Sequence, residues 1–208
     1  VLVWGTRMDD ESFLSLFNQR KPLVSIARDH DSSEVNAVLV EHYQSAYRMT
    51  EYLIQSGHKK IMFLGRLEAM KATRDRFEGY RQALLDNGIE FLDEWAFAAD
   101  YYQEDAYRIV AEMENIDFDA IFAGSDLMAI GAMKALLEKG LSIPQDVAVA
   151  GFDNIPNSDM LPVSLTTVDT PIYKLGEQSA DMLISIIEDK ETERKLELGT
   201  ELMIRASA

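Results

Sequence analysis

The feature that most constrains the fold of this chain is a regular alternation of short apolar runs and amphipathic stretches. The runs are rich in β-branched and aromatic residues and lie at 1–4, 23–27, 60–64, 119–123 and 147–150. Runs of this length that are apolar throughout predict strands buried on both faces. Because stretches with helical spacing separate them, as at 43–54 and 77–84, the pattern predicts an α/β fold with a doubly wound parallel sheet.

The predicted strands are distributed unevenly. Beyond position 38 there is material for a complete sheet, with strands near Lys60, Trp95, Asp119, Val147 and Leu165. Residues 1–37 supply only two strands and one helix, too little for an independent core. We therefore expect two lobes joined by several crossings, as in a hinge. The N-terminal lobe would be incomplete and comprise residues 1–37 plus 170–194, with a late helix over 172–188, and the C-terminal lobe would comprise residues 38–169 plus 195–208.

The charge balance and the absence of cysteine exclude several classes of protein. With 20 Lys and Arg against 36 Asp and Glu, the formal net charge of −16 repels phosphate backbones, so we expect that these residues do not bind DNA themselves. The lack of cysteine excludes disulfides and thiolate chemistry and favours the cytoplasm. No apolar run approaches the roughly 20 residues of a membrane helix, and residues 1–4 do not resemble a signal peptide.

Polar residues at the ends of predicted strands indicate a binding site. The carboxyl ends of parallel strands meet at one edge of a sheet, and ligands of open α/β folds bind there. Asp126 and Asp153 each follow such a strand at an interval of a few residues. We expect Asp153 to accept hydrogen bonds from a ligand hydroxyl or base N–H, and support of the next loop is its alternative. We expect Asp126 to cap the following helix, and ligand contact is its alternative.

Arg76 and two tyrosines are further candidates. Arg76 is predicted near a helix N-terminus, where the helix dipole disfavours a cation and a bound anion or hydroxyl would compensate. A solvated surface arginine is the equal alternative. Tyr101 and Tyr102 follow the predicted strand near Phe97, where an aromatic face can stack on a sugar or a base. Packing in the core is the alternative for both.

Motifs for catalysis and metal binding are absent from the sequence. It contains no G-x-S-x-G, H-E-x-x-H, P-loop or G-x-G-x-x-G pattern, so we expect no enzyme activity. His30, His42 and His58 have no carboxylate at ligand spacing, so we expect no metal site and no cofactor. A Mg²⁺-dependent hydrolase that uses the strand-end aspartates is an alternative, although no nucleophile or phosphate loop accompanies them.

The helix predicted from Asp126 has two apolar faces. One face comprises Met128, Gly131, Ala132, Ala135 and Leu136, and the other comprises Leu127, Ile130, Met133 and Leu137. Such a helix is expected to be buried on both sides. We expect the second face to form the interface of a homodimer, and packing against a neighbouring element of the same chain is the alternative.

Several segments in a fixed order resemble the lactose-repressor (LacI/GalR) family of bacterial transcription regulators. They are KPLVSIAR from Lys21, LIQSGHKKIMFLG from Leu53, RFEGYRQALLDNG from Arg76, DAIFAGSDLMAIGAMKALLEKGLSIPQDVAVAGFDN from Asp119, SLTTVDTP from Ser164, LGEQSADMLI from Leu175 and LMIRAS from Leu202. The ordered series covers almost the whole chain. It implies a periplasmic-binding-protein-like fold of two Rossmann-like lobes joined by three crossovers, with an effector in the cleft between them.

The resemblance also implies site residues and partners. Implied effector contacts are Arg76, Asp153, Tyr101 and Ser125, with Met70 and Ala72 lining the same loop. Relatives often carry asparagine at the position of Ser125, which is shorter and has fewer donors. Dimer contacts are implied for the helix from Asp126 and for the loop 157–161, which adds Met160 and Leu161. An operator would be bound by a helix-turn-helix headpiece upstream of this chain.

The sequence therefore predicts the effector-binding and dimerisation core of a bacterial repressor. Its effector would be a small polar molecule, a sugar or a related metabolite, that shifts a two-state hinge. An extracytoplasmic sugar-binding transport protein is the alternative, because it shares the two-lobed cleft. An upstream signal peptide would favour transport, and an upstream basic helix-turn-helix would favour repression.

Overall fold

The computed structural model describes residues 1–4, 8–17, 22–29, 35–65, 71–100 and 102–208. In chain order the strands of these ranges are β1 (Leu2–Val3), β2 (Val24–Ile26), β3 (Ala37–Val40), β4 (Ile61–Gly65), β5 (Ala96–Ala98), β6 (Ala120–Ala123), β7 (Ala148–Asp153), β8 (Thr166–Asp169), β9 (Lys195–Leu198) and β10 (Glu201–Met203). The helices are α1 (Asp10–Phe17), α2 (His42–Gln55), α3 (Lys71–Asp86), α4 (Gln103–Glu112), α5 (Asp126–Glu138) and α6 (Ile172–Ile187), and a short 3₁₀ turn covers Asp93–Trp95.

The chain divides into two compact units. Unit 1 comprises Val1–Glu41, Met70–Ala72 and Pro171–Thr200. Unit 2 comprises His42–Ala69, Thr73–Thr170 and Glu201–Ala208. Each unit has its own sheet and its own apolar core, which confirms the predicted α/β class of parallel sheets flanked by helices.

In unit 1 the described strands β1, β2, β3 and β9 pair in that order, and all pairs are parallel. Because successive side chains of a strand point to opposite faces, β3 contacts two different layers. Val38 and Val40 pack with Leu175 of α6, and Ala37 packs with Phe13 of α1. Helices therefore cover both faces of this sheet, and the predicted late helix belongs to unit 1.

The compact units differ from the predicted lobes at residues 38–41, 70–72, 170 and 195–200. β3 and β9 pair in parallel from Ala37 with Lys195 to Val40 with Leu198. Residues 38–41 and 195–200 therefore belong to unit 1, whereas the prediction placed them in the second lobe. The cause is a pairing between strands far apart in the chain, which neither strand's own apolar pattern reveals. The predicted incompleteness of the first lobe stays a prediction.

In unit 2 the described strands have the order β10–β8–β7–β6–β4–β5, and all are parallel except β10, which is antiparallel to β8. The five parallel strands are those predicted from the sequence, whereas β10 was not predicted. Ile61 and Phe63 of β4 pack in the core with α2 and α3, and Met62 and Leu64 pack in the core with α4 and α5. The sheet is thus doubly wound, as predicted.

Two helical glycines let pairs of helices in unit 2 approach closely. A Cβ atom built on Gly79 of α3 would overlap the carbonyl oxygen of Tyr43 in α2. A Cβ atom built on Gly131 of α5 would overlap the carbonyl oxygen of Gln103 at the start of α4. Backbone of one helix therefore lies directly against the other at both crossings.

Gly131→Ala is expected to lower the free energy of unfolding by about 1–3 kcal/mol, because the new methyl group meets rigid backbone. The matched control is Gly176→Ala in α6, where an added Cβ would meet nothing within 4 Å. That control is expected to gain about 0.5–1 kcal/mol from the better helix propensity of alanine. Urea unfolding of both variants measures the difference, and equal stabilities would contradict the close approach of α4 and α5.

Candidate functional site

Glycines at the ends of two neighbouring strands expose backbone at the edge of the unit 2 sheet. β4 ends at Gly65, and Gly124 directly follows β6, the strand that pairs with β4. A Cβ built on Gly65 would lie 3.7 Å from the Cα of Gly124, so the two backbones are adjacent. Since neither residue contributes a side chain, the Gly124 carbonyl group can be reached by a side chain from a helix.

Arg76 of α3 reaches this edge and is buried, with 7% of its surface exposed. Its Nη1 donates to the Gly124 carbonyl oxygen, and its Nη2 donates to a carboxylate oxygen of Asp153 at 3.3 Å. Its Nε donates to Nδ1 of His42 at 3.3 Å. The guanidinium carbon lies 3.7 Å from the centre of the Phe152 ring, a cation–π geometry. One side chain therefore joins α2, α3 and the ends of β6 and β7.

Arg76 does not lie at the helix N-terminus, where the sequence pattern predicted it. α3 begins at Lys71, so Arg76 lies in the second turn and not at the helix N-terminus. The alternative of a solvated surface arginine is also wrong, because the side chain is buried. Its predicted contact with an effector stays a prediction. What singles the residue out is its position between two strand ends.

Asp153, the last residue of β7, combines an ion pair with an unusual backbone. Its φ is +109°, and that of Asn154 is +52°. Non-glycine residues rarely adopt positive φ, which costs of order 1–3 kcal/mol for each residue. Desolvation by the surrounding protein raises the pKa of Asp153, and the Arg76 guanidinium opposes that rise. Its side chain is 34% exposed, so the carboxylate stays reachable from solvent while it pairs with Arg76.

A hydrogen-bond network holds the backbone that follows Asp153. The Asn154 Oδ1 accepts from Nη2 of Arg205 at 2.8 Å and from Oγ of Ser158 at 3.1 Å. The Asn154 Nδ2 donates to Asp169 of β8 at 2.6 Å. Asn154 and Arg205 were not predicted as site residues from the sequence. The available signal was a charged residue inside the otherwise apolar or small segment LMIRAS, which was considered only as a family motif.

Ser125 caps α5, which is the role that the sequence predicted for Asp126. The Ser125 Oγ accepts from the backbone N–H of Met128 at 3.4 Å and is the N-cap of α5, so Asp126 is not the cap. The Asp126 carboxylate instead accepts from Oγ1 of Thr167 at 2.5 Å and from the backbone N–H of Ile155 at 2.8 Å. It thereby joins the start of α5 to β8 and to the turn after β7. The predicted effector contact of Ser125 stays a prediction.

The environment of Asp126 changes its titration. The residue is fully buried, and burial raises its pKa to about 6 against the opposing hydrogen bonds from Thr167 and Ile155. Asp153 adds to the rise, and Arg205 opposes it. Gly151 makes room for this arrangement, because a Cβ at that position would overlap the Asp126 Oδ1.

The remaining predicted effector residues are less informative. Tyr101 and Met70 lie outside the described residues. Ala72 lies in the first turn of α3 and is half-buried. Tyr102 is 47% exposed and directly precedes α4. Stacking by a tyrosine, and contacts by the loop that precedes α3, stay predictions.

The predicted dimer residues differ in accessibility. Leu127, Leu137 and Met160 are exposed, by 43%, 46% and 77% respectively. Ile130 and Leu161 are half-buried. Met133 is only 5% exposed and packs in the core of unit 2 with α4 and the sheet, so it is not available to a partner. The alternative of packing within the chain therefore applies to Met133.

The described site offers hydrogen-bonding groups to a polar ligand. Within the described ranges, no group of three or more His, Asp or Glu side chains is placed to hold a metal ion. None of the helices in those ranges is long and apolar enough to cross a membrane. The edge of the unit 2 sheet presents a guanidinium, a partly exposed carboxylate and strand-end backbone, which suit recognition of a small polar molecule.

Asp126→Asn is expected to change how stability depends on pH. The folded-state pKa of Asp126 lies above its unfolded value, so the folded state binds more protons between about pH 4 and pH 6, and the free energy of unfolding falls as pH rises through that window. Asparagine is neutral and can accept from Ile155 while it donates to Thr167. The variant should lack the part of this decline that is due to Asp126 and should exceed the wild type by on the order of 2 kcal/mol at neutral pH.

Urea unfolding between pH 4 and pH 7.5 measures this effect. Asp126→Ala is the matched control, because it removes the acceptors along with the charge, and it should lose about 2 kcal/mol at the acidic end, where the asparagine variant resembles the wild type. Parallel pH profiles for the wild type and Asp126→Asn would show that another group titrates.

Comparisons with known proteins agree with this architecture. A family model described as a periplasmic binding protein-like domain matches residues 50–208. The chain is 34% identical over 202 residues to a protein of Bacillus subtilis (strain 168) described as a probable HTH-type transcriptional repressor ExuR, covering 95% of this chain and 61% of that protein. The chain thus spans about three fifths of the length of the curated relatives it matches.

Two solved structures share both fold and sequence with the chain. The transcriptional regulator LacI from Bacillus cereus subsp. cytotoxis NVH 391-98 is 31% identical with a TM-score of 0.92, and the match covers 100% of this chain and 75% of that one. The transcriptional regulator CelR in complex with cellobiose is 30% identical with a TM-score of 0.92, and covers 100% and 65%. These matches confirm the resemblance drawn from the ordered segments. The chain belongs to the LacI/GalR family of transcriptional regulators and is an effector-binding domain with the periplasmic-binding-protein-like fold.

Proposed function

We propose that this chain is the effector-binding and dimerisation core of a bacterial transcriptional repressor that works in the cytoplasm. The effector is a small polar molecule, a sugar or a related metabolite, that is recognised at the carboxyl ends of β6 and β7. The operator is bound by a helix-turn-helix segment elsewhere in the full-length protein. The observation that carries the proposal is the pair of Arg76 and Asp153 at these strand ends.

The chemistry of this pair supports an uncharged, hydroxyl-rich effector. Arg76 supplies only donors, and ionised Asp153 supplies only acceptors, so together they match hydroxyl groups, which do both. The charges of Arg76 and Asp153 offset each other. The pair therefore has no net charge with which to neutralise a charged effector. The cellobiose complex of CelR supports a sugar as the first class to test.

The surface of α5 and the charge of the chain support the remaining parts of the proposal. Leu127 and Leu137 lie on α5, and together with Met160 they expose apolar area that a second copy can cover. A net charge of −16 repels the phosphate backbone of DNA, which supports the proposal that other residues of the full-length protein contact the operator. The matched relatives are transcription regulators, which does not favour the alternative of a transport protein.

Titration calorimetry with disaccharides including cellobiose, monosaccharides, sugar phosphates and nucleobases tests the effector site. Arg76→Met and Asp153→Asn should each weaken binding by roughly tenfold or more, because each removes a charged partner of the ligand. The matched control is Arg81→Met on the same helix, whose side chain is 45% exposed and pairs with Glu78, and it should leave the affinity unchanged. A panel without a binder, or a binder insensitive to both site variants, would contradict the proposed site.

Sedimentation velocity tests dimerisation. The double variant Leu127→Asp, Leu137→Asp should convert a dimer to monomers, because it places charges on both sides of a twofold interface. Leu85→Asp is the control, since Leu85 is 68% exposed on α3 and lies outside the proposed interface. A wild type that sediments as a monomer, or a double variant that remains dimeric, would argue against α5 as the interface.

A further inference from the structure

His42 is a histidine to which the sequence analysis gave no function. It is the first residue of α2 and is 9% exposed. Its Nδ1 lies 3.3 Å from Nε of Arg76, and its ring centre lies 5.8 Å from that of Phe152. The Arg76 guanidinium lies over the same Phe152 ring. The three side chains therefore form one buried cluster at the strand ends.

In the hydrogen bond between Arg76 and His42, only Arg76 can be the donor. Arginine stays protonated in proteins and has no acceptor, so its Nε–H donates. The receiving Nδ1 of His42 must then carry a lone pair and no proton. His42 is therefore a neutral imidazole with its proton on Nε2.

We propose that His42 is the positioning residue of the effector site and that its protonation weakens effector binding. This inference rests on the proposed function, because it concerns the arginine assigned there to the effector. The Nδ1 lone pair fixes the rotation of the guanidinium, so that Nη1 reaches Gly124 and Nη2 reaches Asp153. A proton on Nδ1 would remove that acceptor and place a second cation beside the first.

Of the charged groups around the cluster, the one in direct contact with His42 disfavours its protonation. From α3, the group that His42 Nδ1 contacts is the cationic guanidinium of Arg76. Asp153, at the end of β7, contacts Nη2 of that guanidinium at 3.3 Å. The carboxylate of Glu41, the residue before His42, accepts from the backbone N–H of Thr200 at 2.9 Å. From β7, the ring of Phe152 contributes an apolar face. Protonation of His42 would therefore place two cations, the imidazolium and the Arg76 guanidinium, in direct contact.

Nuclear magnetic resonance of the ligand-free chain tests the hydrogen bond without any effector. Long-range ¹H–¹⁵N spectra should show an unprotonated Nδ1 for His42 at pH 7.5, with a through-hydrogen-bond coupling to Nε of Arg76. In Arg76→Met the pH at which His42 takes up its second proton should rise by about one unit or more, because a neighbouring cation is gone. The signal of His58, beyond the other end of α2, is the internal reference. A protonated Nδ1 in the wild type, or an unshifted titration in the variant, would overturn the inference.

Calorimetry with cellobiose as the probe tests the consequence for binding. His42→Asn keeps an acceptor near the position of Nδ1 but does not titrate, and His42→Leu keeps neither property. We expect His42→Leu to bind roughly tenfold more weakly and His42→Asn to resemble the wild type at pH 7.5. Below the pH at which His42 takes up its second proton, each further unit of pH should cost the wild type up to about tenfold more affinity than His42→Asn. Asp126, with a pKa of about 6, titrates in both proteins, so the difference between them isolates His42.

The two experiments separate the inference from the proposed function. If cellobiose and the wider panel fail to bind the wild type, the proposed effector class is wrong, and the resonance experiment still decides the state of His42. If cellobiose binds with equal pH dependence in the wild type and His42→Asn, His42 does not position the site and the inference is overturned.

Discussion

A guanidinium that is removed from water needs hydrogen-bond acceptors and a counter-charge, because a buried cation without them costs several kcal/mol. Arg76 obtains both from residues on other elements. The imidazole of His42, the carbonyl group of Gly124 and the carboxylate of Asp153 share one planar donor group. The relative positions of α2, α3 and the ends of β6 and β7 are therefore coupled through a single side chain, and a shift of any one partner is transmitted to the others.

The same coupling explains which parts of the molecule the sequence could predict. The central strands β4, β6 and β7 of unit 2 were predicted because each begins in or consists of a short apolar run, which is a local property. The partners of Arg76 lie 34, 48 and 77 residues away along the chain, and no local pattern relates them. Arg76 was nevertheless singled out, both by the family resemblance and by a helix-dipole argument that the start of α3 at Lys71 removes. The pairing of β3 with β9 was missed for the same non-local reason.

Asp153 shows a second limit of sequence reasoning. Its position after a buried strand identified it as a candidate, and it pairs with Arg76, whereas its contact with an effector stays a prediction. Its positive φ depends on contacts made elsewhere. Asp126 holds the backbone of Ile155, and Arg205 holds the side chain of Asn154. Backbone strain of this kind persists where surrounding structure determines it, and it is common at functional sites.

The left-handed backbone at Asp153 and Asn154 has a consequence for any search for more stable versions of this protein. Glycine adopts positive φ without steric cost, so replacing Asp153 with glycine would relieve strain in the folded chain. It would also leave the buried charge of Arg76 without its carboxylate partner. A screen for heat resistance alone would select only on the sum of these two effects on the free energy of unfolding. It would not select on the response to a ligand. Under the proposed function, stability and ligand response compete at this single position, so variants from such a library should be sequenced there first.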